Sequence, residues 1–82
     1  MTDNLNLKVD LSPTARAMVR LDFNPSRTDR VDNIKILTAA LITECEAIRD
    51  GGTGAREAAI AIHEFEAAAM WAVKAATAGS AP

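Results

Sequence analysis

Apolar positions recur every three or four residues through two long stretches of the chain, and that spacing predicts two α-helices. In the first stretch Val31, Ile34, Thr38, Leu41, Cys45 and Ile48 make one stripe, widened by Leu37 and Ile42. In the second, Ala55, Ala58, Ile62, Phe65, Ala69, Ala72 and Ala76 make another. Ser26-Arg27-Thr28-Asp29 has capping-box spacing, with Asp in place of Glu or Gln, so the first helix is expected to begin between Ser26 and Arg30. Arg49 and the Gly51-Gly52-Thr53-Gly54 run close it, with a cation in the last turn and Gly at the C-cap. Thr53 is the natural N-cap of the second helix, expected from Ala55 to Thr77. So short a connection lays the two helices antiparallel, stripe against stripe.

Upstream, Leu5, Leu7, Val9 and Leu11 alternate with Asn6, Lys8 and Asp10, which is strand periodicity. A single strand either pairs with its copy in another subunit or lies as an extended arm. Ser12-Pro13 is a helix start for a short stretch reaching toward Leu21, and Phe23-Asn24-Pro25-Ser26 is a turn. The expected fold is all-α: an irregular N-terminal arm and turn over 1–25, an antiparallel two-helix hairpin over 26–78, and a frayed tail over 79–82.

The second helix also speaks to assembly. Opposite its first stripe it carries Arg56, Ile60, His63, Ala67, Met70, Trp71 and Lys74. A helix apolar on two sides is packed on two sides, and a hairpin offers only one neighbour. The length points the same way, because 82 residues bury a small core that needs a staple. Cys45 is the single cysteine, which excludes an internal disulfide and, with His63 the single histidine, a four-ligand zinc site. Self-association remains: a homo-oligomer of two hairpins at the least, with four or six chains expected.

Charge narrows the partners. The net charge is −2, which disfavours DNA binding driven by counterion release. It is unevenly spread: from Arg16 to Lys35 five cations (Arg16, Arg20, Arg27, Arg30, Lys35) face three acids (Asp22, Asp29, Asp32). The most apolar run, Ala67 to Val73, is far too short to span a membrane. Met1-Thr2-Asp3-Asn4 has neither a basic nor an apolar leader pattern, so no signal peptide is expected. A lone thiol in an apolar helical pattern fits a reducing cytoplasm.

No catalytic constellation is expected, and no metal or cofactor. The Gly51–Gly54 run lacks the spacing and Lys-Ser/Thr ending of a phosphate-binding loop. His63 has no second ligand or nucleophile in a recognisable motif. Glu64 and Glu66 lie about 160° apart on a helix. Two readings of Arg56, His63, Trp71 and Lys74 stay open. Trp71 and Met70 can be an interface, docking another copy or a protein partner, with the cations at its rim. Alternatively, cations and a flat ring together hold an anionic, aromatic ligand such as a nucleotide.

The segment Arg56-Glu57-Ala58-Ala59-Ile60-Ala61-Ile62-His63-Glu64-Phe65-Glu66-Ala67-Ala68-Ala69-Met70-Trp71-Ala72-Val73-Lys74-Ala75 resembles the closing helix of a family of short phage proteins. Its Arg, its Phe-Glu pair, its Ala-x-Met-Trp and its Lys-Ala are the matching features. Phe23-Asn24-Pro25-Ser26, followed by Val31-Asp32 and Ile34-Lys35, resembles the opening of the same family, the phage helical-hairpin cyclic-nucleotide sponges that counter CBASS and Thoeris immunity. The resemblance covers residues 23 to 75. It implies a hairpin oligomer, commonly a hexamer, in the cytoplasm of an infected bacterium. Such a protein sequesters cyclic di- or trinucleotide signals without cleaving them. It also implies ligand contacts at Phe23, Asn24 and Lys35, with Arg56 the match for a phosphate-binding Arg. Ser26, Arg27, Arg30, Trp71 and Lys74 are secondary candidates. The chain departs from the family pattern in having no tyrosine, so Phe23 stacks without a phenolic hydroxyl, and in a longer leader before Phe23.

Overall fold

The computed structural model describes residues 8–80. Its helices are α1 (Pro13–Met18), α2 (Asp29–Gly51) and α3 (Ala55–Thr77), and a 3₁₀ turn, Ala78–Ser80, continues α3. No strand occurs among the described residues. Val9 and Leu11 lie in irregular backbone, while Leu5 and Leu7 of the alternating segment fall outside the described residues. The arm contains a true helical turn. Ser12 is extended at φ −70°, ψ 153° and its hydroxyl accepts from the Ala15 amide at 3.0 Å, with Pro13 in the first turn. That is the local logic of a helix start: a side-chain acceptor for an orphan N–H, and a residue with no N–H to orphan.

The arm leaves α1 through a Schellman turn. The Leu21 amide donates to the Arg16 carbonyl and the Arg20 amide to the Ala17 carbonyl. Arg20 occupies the left-handed position at φ 52°, where glycine is usual. For a residue with a Cβ that conformation costs about 1–2 kcal/mol.

Both expected caps of the long helices are displaced. Thr28, not Ser26, is the N-cap of α2, extended and without a side-chain bond of its own to the helix. Ser26 instead donates its hydroxyl to Asn24 Oδ1 at 2.5 Å, so the turn captures the group that would have capped the helix. At the start of α3 the cap is Gly54 rather than Thr53. It stands at φ 80°, ψ 10°, a conformation that favours Gly over the β-branched Thr. The end of α2 does use glycine, with Gly52 at φ 98°.

The stripe of α3 packs as the spacing predicts. Ala58, Ile62 and Ala69 are buried, and Ala55, Phe65, Ala72 and Ala76 are partly so. The stripe of α2 is turned. Its buried line is Val31, Lys35, Ala39 and Ile42, with Ala40 beside it, whereas Leu37, Leu41 and Ile48 are 43–50% exposed. The reason is that α2 serves two neighbours. Ala39 and Ile42 meet Ala15 and Val19 of the arm as well as Ile62 and Ala69 of α3 in one core, so the centre of packing lies between α1 and α3.

Hydrogen bonds fix the arm there. The Ser12 amide donates to Thr43 Oγ1 at 3.0 Å, and the hydroxyls of Ser12 and Thr14 each donate to one carboxylate oxygen of Glu46. Those two donors hold the Glu46 carboxyl below its ordinary value; burial opposes them, and Arg49 adds a smaller favourable charge.

Candidate functional site

The turn from Arg20 to Thr28 and the first third of α2 form one hydrogen-bonded knot around Lys35. Its side chain is buried, only 6% exposed, and its ammonium donates to the backbone carbonyls of Arg20, at 2.9 Å, and of Phe23. The same nitrogen lies 5.6 Å from the centre of the Phe23 ring, within cation–π range. An ammonium has three N–H donors, so one remains for a ligand. Burial is the largest effect on this group and pushes its pKa down. Asp32 opposes that shift, and the like charge of Arg20 adds to it.

Asn24 is committed more completely. Its Nδ2 donates to the Thr28 carbonyl at 3.0 Å and to Asp32 Oδ1 at 2.9 Å. Its Oδ1 accepts from the Ser26 hydroxyl at 2.5 Å and from the Arg27 amide at 3.0 Å. A primary amide offers two donors and two lone pairs, and all four are used. Asn24 therefore holds the turn that presents Phe23, and Arg27 at φ 57° lets its own amide reach Asn24.

Phe23, Asn24, Pro25, Ser26, Val31 and Lys35 line one hollow of about 310 Å³, closed by Val73 and Thr77 from the end of α3. The antiparallel register explains that closure, since the last turns of α3 lie beside the first turns of α2. Arg56 stands at the other end of α3, about 25 Å from Val73 at 1.5 Å per residue. It is exposed and pairs loosely with Glu57 at 3.9 Å, so within one chain it does not join the hollow. Arg30 lines a separate shallow depression with Thr28, Ile34, Ala72, Ala75 and Ala76. Trp71 is 69% exposed, with Lys74 Nζ 5.1 Å from its ring, on the face of α3 opposite the core.

The arrangement of a half-exposed aromatic ring, a partly satisfied ammonium and an apolar wall suits stacking of a flat, polar ligand. The described residues contain no group of three or more His, Cys, Asp or Glu placed to hold a metal ion. The match to the family described as Acb2/Tad1, hairpin domain, runs over residues 14–77. The chain belongs to that family. The Acb2/Tad1 hairpin family is the anti-CBASS and anti-Thoeris cyclic-nucleotide sponge family, and the matched span takes in α1, the Phe23 turn, α2 and α3. No curated protein and no solved structure matches the chain. As in the family's name, the hairpin of α2 and α3 is the frame; no helix among the described residues is long and apolar enough to cross a membrane.

Sequence reasoning did not single out Asp32, which accepts from Asn24 at 2.9 Å, or Val73 and Thr77, which line this Acb2/Tad1 hairpin's hollow. Asp32 carried a signal, because Asn24 and Asp32 flank a helix start. Val73 and Thr77 carried none, since only the register of α3 on α2 brings them to Phe23.

Proposed function

We propose that this chain is a phage immune-evasion protein that binds cyclic di- or trinucleotides and holds them intact, withdrawing the signal from CBASS-type defence in the cytoplasm of the infected bacterium. The observation that carries this reading is the convergence of the Phe23 ring and the Lys35 ammonium on one apolar hollow, in a chain of the sponge family. A base stacks on Phe23, and the one unused N–H of Lys35 donates to it or to its sugar–phosphate edge. Asn24 and Ser26 hold the turn. Small-molecule sites run from about 300 to 1,000 Å³. At about 310 Å³ this hollow takes one nucleoside unit, so a cyclic dinucleotide needs two such hollows. A subunit two-fold supplies them by using each residue twice.

Self-association is part of the proposal. Leu37, Leu41 and Ile48 on α2, with Ile60, Met70 and Trp71 on α3, are 43–69% exposed, an apolar surface of the kind that marks interfaces. Asn33 Oδ1, about 40° round α2 from Leu37 at 100° per residue, is buried without a partner among the described residues. A second chain brings a donor to it, and brings its own Arg56 within reach of a shared ligand. Sedimentation is expected to give an assembly of several hairpins, and a well-folded monomer of 8.7 kDa at micromolar concentration would overturn the assembly.

Calorimetry against a panel of purine cyclic di- and trinucleotides tests the function. Heat of binding is expected, with the intact ligand recovered by mass spectrometry after denaturation. No binding across the panel overturns the reading, and recovery of linear products overturns the passive mechanism. Loss of a protein partner on Trp71→Ala, with no nucleotide bound by the parent chain, would instead favour a docking module built on the exposed Trp71 face.

A further inference from the structure

Phosphate groups need donors, and the hollow beside Lys35 is short of them. Asn24 has none free, Lys35 has one, and Arg56 lies at the far end of α3. Phe23, however, lines two hollows. The second, about 590 Å³ and more open, lies on the α1 side and is lined by Arg16, Arg20 and Asp22 as well as Phe23. Arg20 lines a third, of about 380 Å³, together with Lys35. Phe23, Lys35 and Arg20 are thus the pairwise shared walls of three adjoining spaces.

We propose that Arg16 and Arg20 form the phosphate-binding subsite for a nucleotide whose base stacks at Phe23. This rests on the nucleotide reading above and assigns the phosphate contact within the same chain to α1 and its terminal turn.

Three observations favour it. The two guanidinium groups outnumber the single carboxylate of Asp22 in that space, and neither forms an ion pair with a carboxylate among the described residues. Arg20 is held in the left-handed conformation where glycine is usual, and a residue kept there against its steric cost points to a function for its side chain. Its carbonyl is at the same time bound by Lys35 at 2.9 Å, which ties the arginine to the ring it would serve. The like charges of Arg20 and Lys35 already oppose each other across this knot, and a phosphate bound at Arg20 relieves that repulsion. Guanidinium groups bind phosphate by paired N–H donors, so the ligand class is a phosphodiester-linked nucleotide rather than a free base or nucleoside.

The test is calorimetry on the full chain with cyclic di-adenylate and cyclic di-guanylate, and with inorganic phosphate as a control for a bare anion site. Arg16→Gln, Arg20→Gln and the double variant keep every backbone bond of the Schellman turn, and circular dichroism with sedimentation verifies their fold and assembly. The double variant is expected to lose about tenfold or more in affinity, the lower end of what charge-assisted contacts give when exposed. It is also expected to show a shallower dependence on salt. Arg16→Gln alone keeps the test open should Arg20→Gln unfold the turn; its expected loss is severalfold. Unchanged affinity in the folded double variant overturns the assignment while the nucleotide reading stands. A parent chain that binds none of the panel overturns the nucleotide reading itself, and this assignment with it.

Discussion

The ammonium of Lys35 donates to the backbone carbonyl of Phe23 while lying 5.6 Å from the centre of that residue's ring. One residue of α2 thus fixes both the backbone and the ring of the residue best placed to stack a base. Lys35 is a structural pin before it is a ligand contact, and replacing it changes more than affinity.

We expect Lys35→Met, which keeps most of the stem volume, to destabilise the fold by about 1–3 kcal/mol, because the Arg20 and Phe23 carbonyls are left without their donor. The pH dependence carries the same signature. The folded value lies below the ordinary 10.5, so between that lowered value and 10.5 the unfolded chain holds more protons and stability rises with pH. Chemical denaturation from pH 8 to 10.5 checks both points. A parent-like midpoint in Lys35→Met, or the same alkaline rise in the variant, would show that the pin is not needed.

Acid acts on a different joint. The Glu46 carboxyl lies below its ordinary 4.5 because the Ser12 and Thr14 hydroxyls donate to it. Its contribution is therefore fully present above pH 4.5 and is lost as pH falls through the lowered folded value. Glu46→Gln should show a flatter loss of melting temperature between pH 5 and 3 than the parent chain, and lower stability at pH 7. Identical acid profiles in the two proteins would place the acid sensitivity elsewhere.

Ala69 marks the close approach of α3 to α2 and the arm, and it is buried. Ala69→Leu overpacks that contact, at about 1–3 kcal/mol. Each kcal/mol is worth about 4–8 °C in a domain of this size, so a calorimetric scan reads the effect directly. An unchanged melting temperature would mean that the seam is not where the helices meet.

The two ends of the connecting loop should respond with opposite signs. Gly51 is the last residue of α2, and a Cβ there meets nothing within 4 Å. Gly51→Ala is expected to stabilise by about 0.4–1 kcal/mol through the unfolded chain. At Gly54 an added Cβ meets only Ile48 Cγ2, at an ordinary 3.5 Å, yet φ is +80°, so Gly54→Ala is expected to destabilise by about 1–2 kcal/mol. Equal effects in denaturant titrations would contradict the backbone assignment.

How much of this was legible beforehand differs from one helix to the next. Periodicity alone placed α3 from Ala55 to Thr77 and named the stripe it buries, because within one chain α3 packs against one layer, while Ile60, Met70 and Trp71 on its other apolar face stay exposed. Ser12-Pro13 announced α1 for an equally local reason: a cap and a proline act within one turn. The buried side of α2 was not legible. Leu37, Leu41 and Ile48 are as apolar as Val31 and Ile42, and only the docking of the arm on α2 decides which of them is covered. For the site, the family resemblance supplied Phe23, Asn24 and Lys35, with Ser26 as a secondary candidate, and they share one hollow because a turn and the helix after it stay close. The sequence could not say that the Asn24 amide is fully spent, that Lys35 is buried, or that Arg56 lies about 25 Å away along α3. Nor could it bring Val73 and Thr77 to Phe23. Hydrogen-bond saturation, burial and long-range proximity are properties of how helices are laid together, and no window of residues contains them.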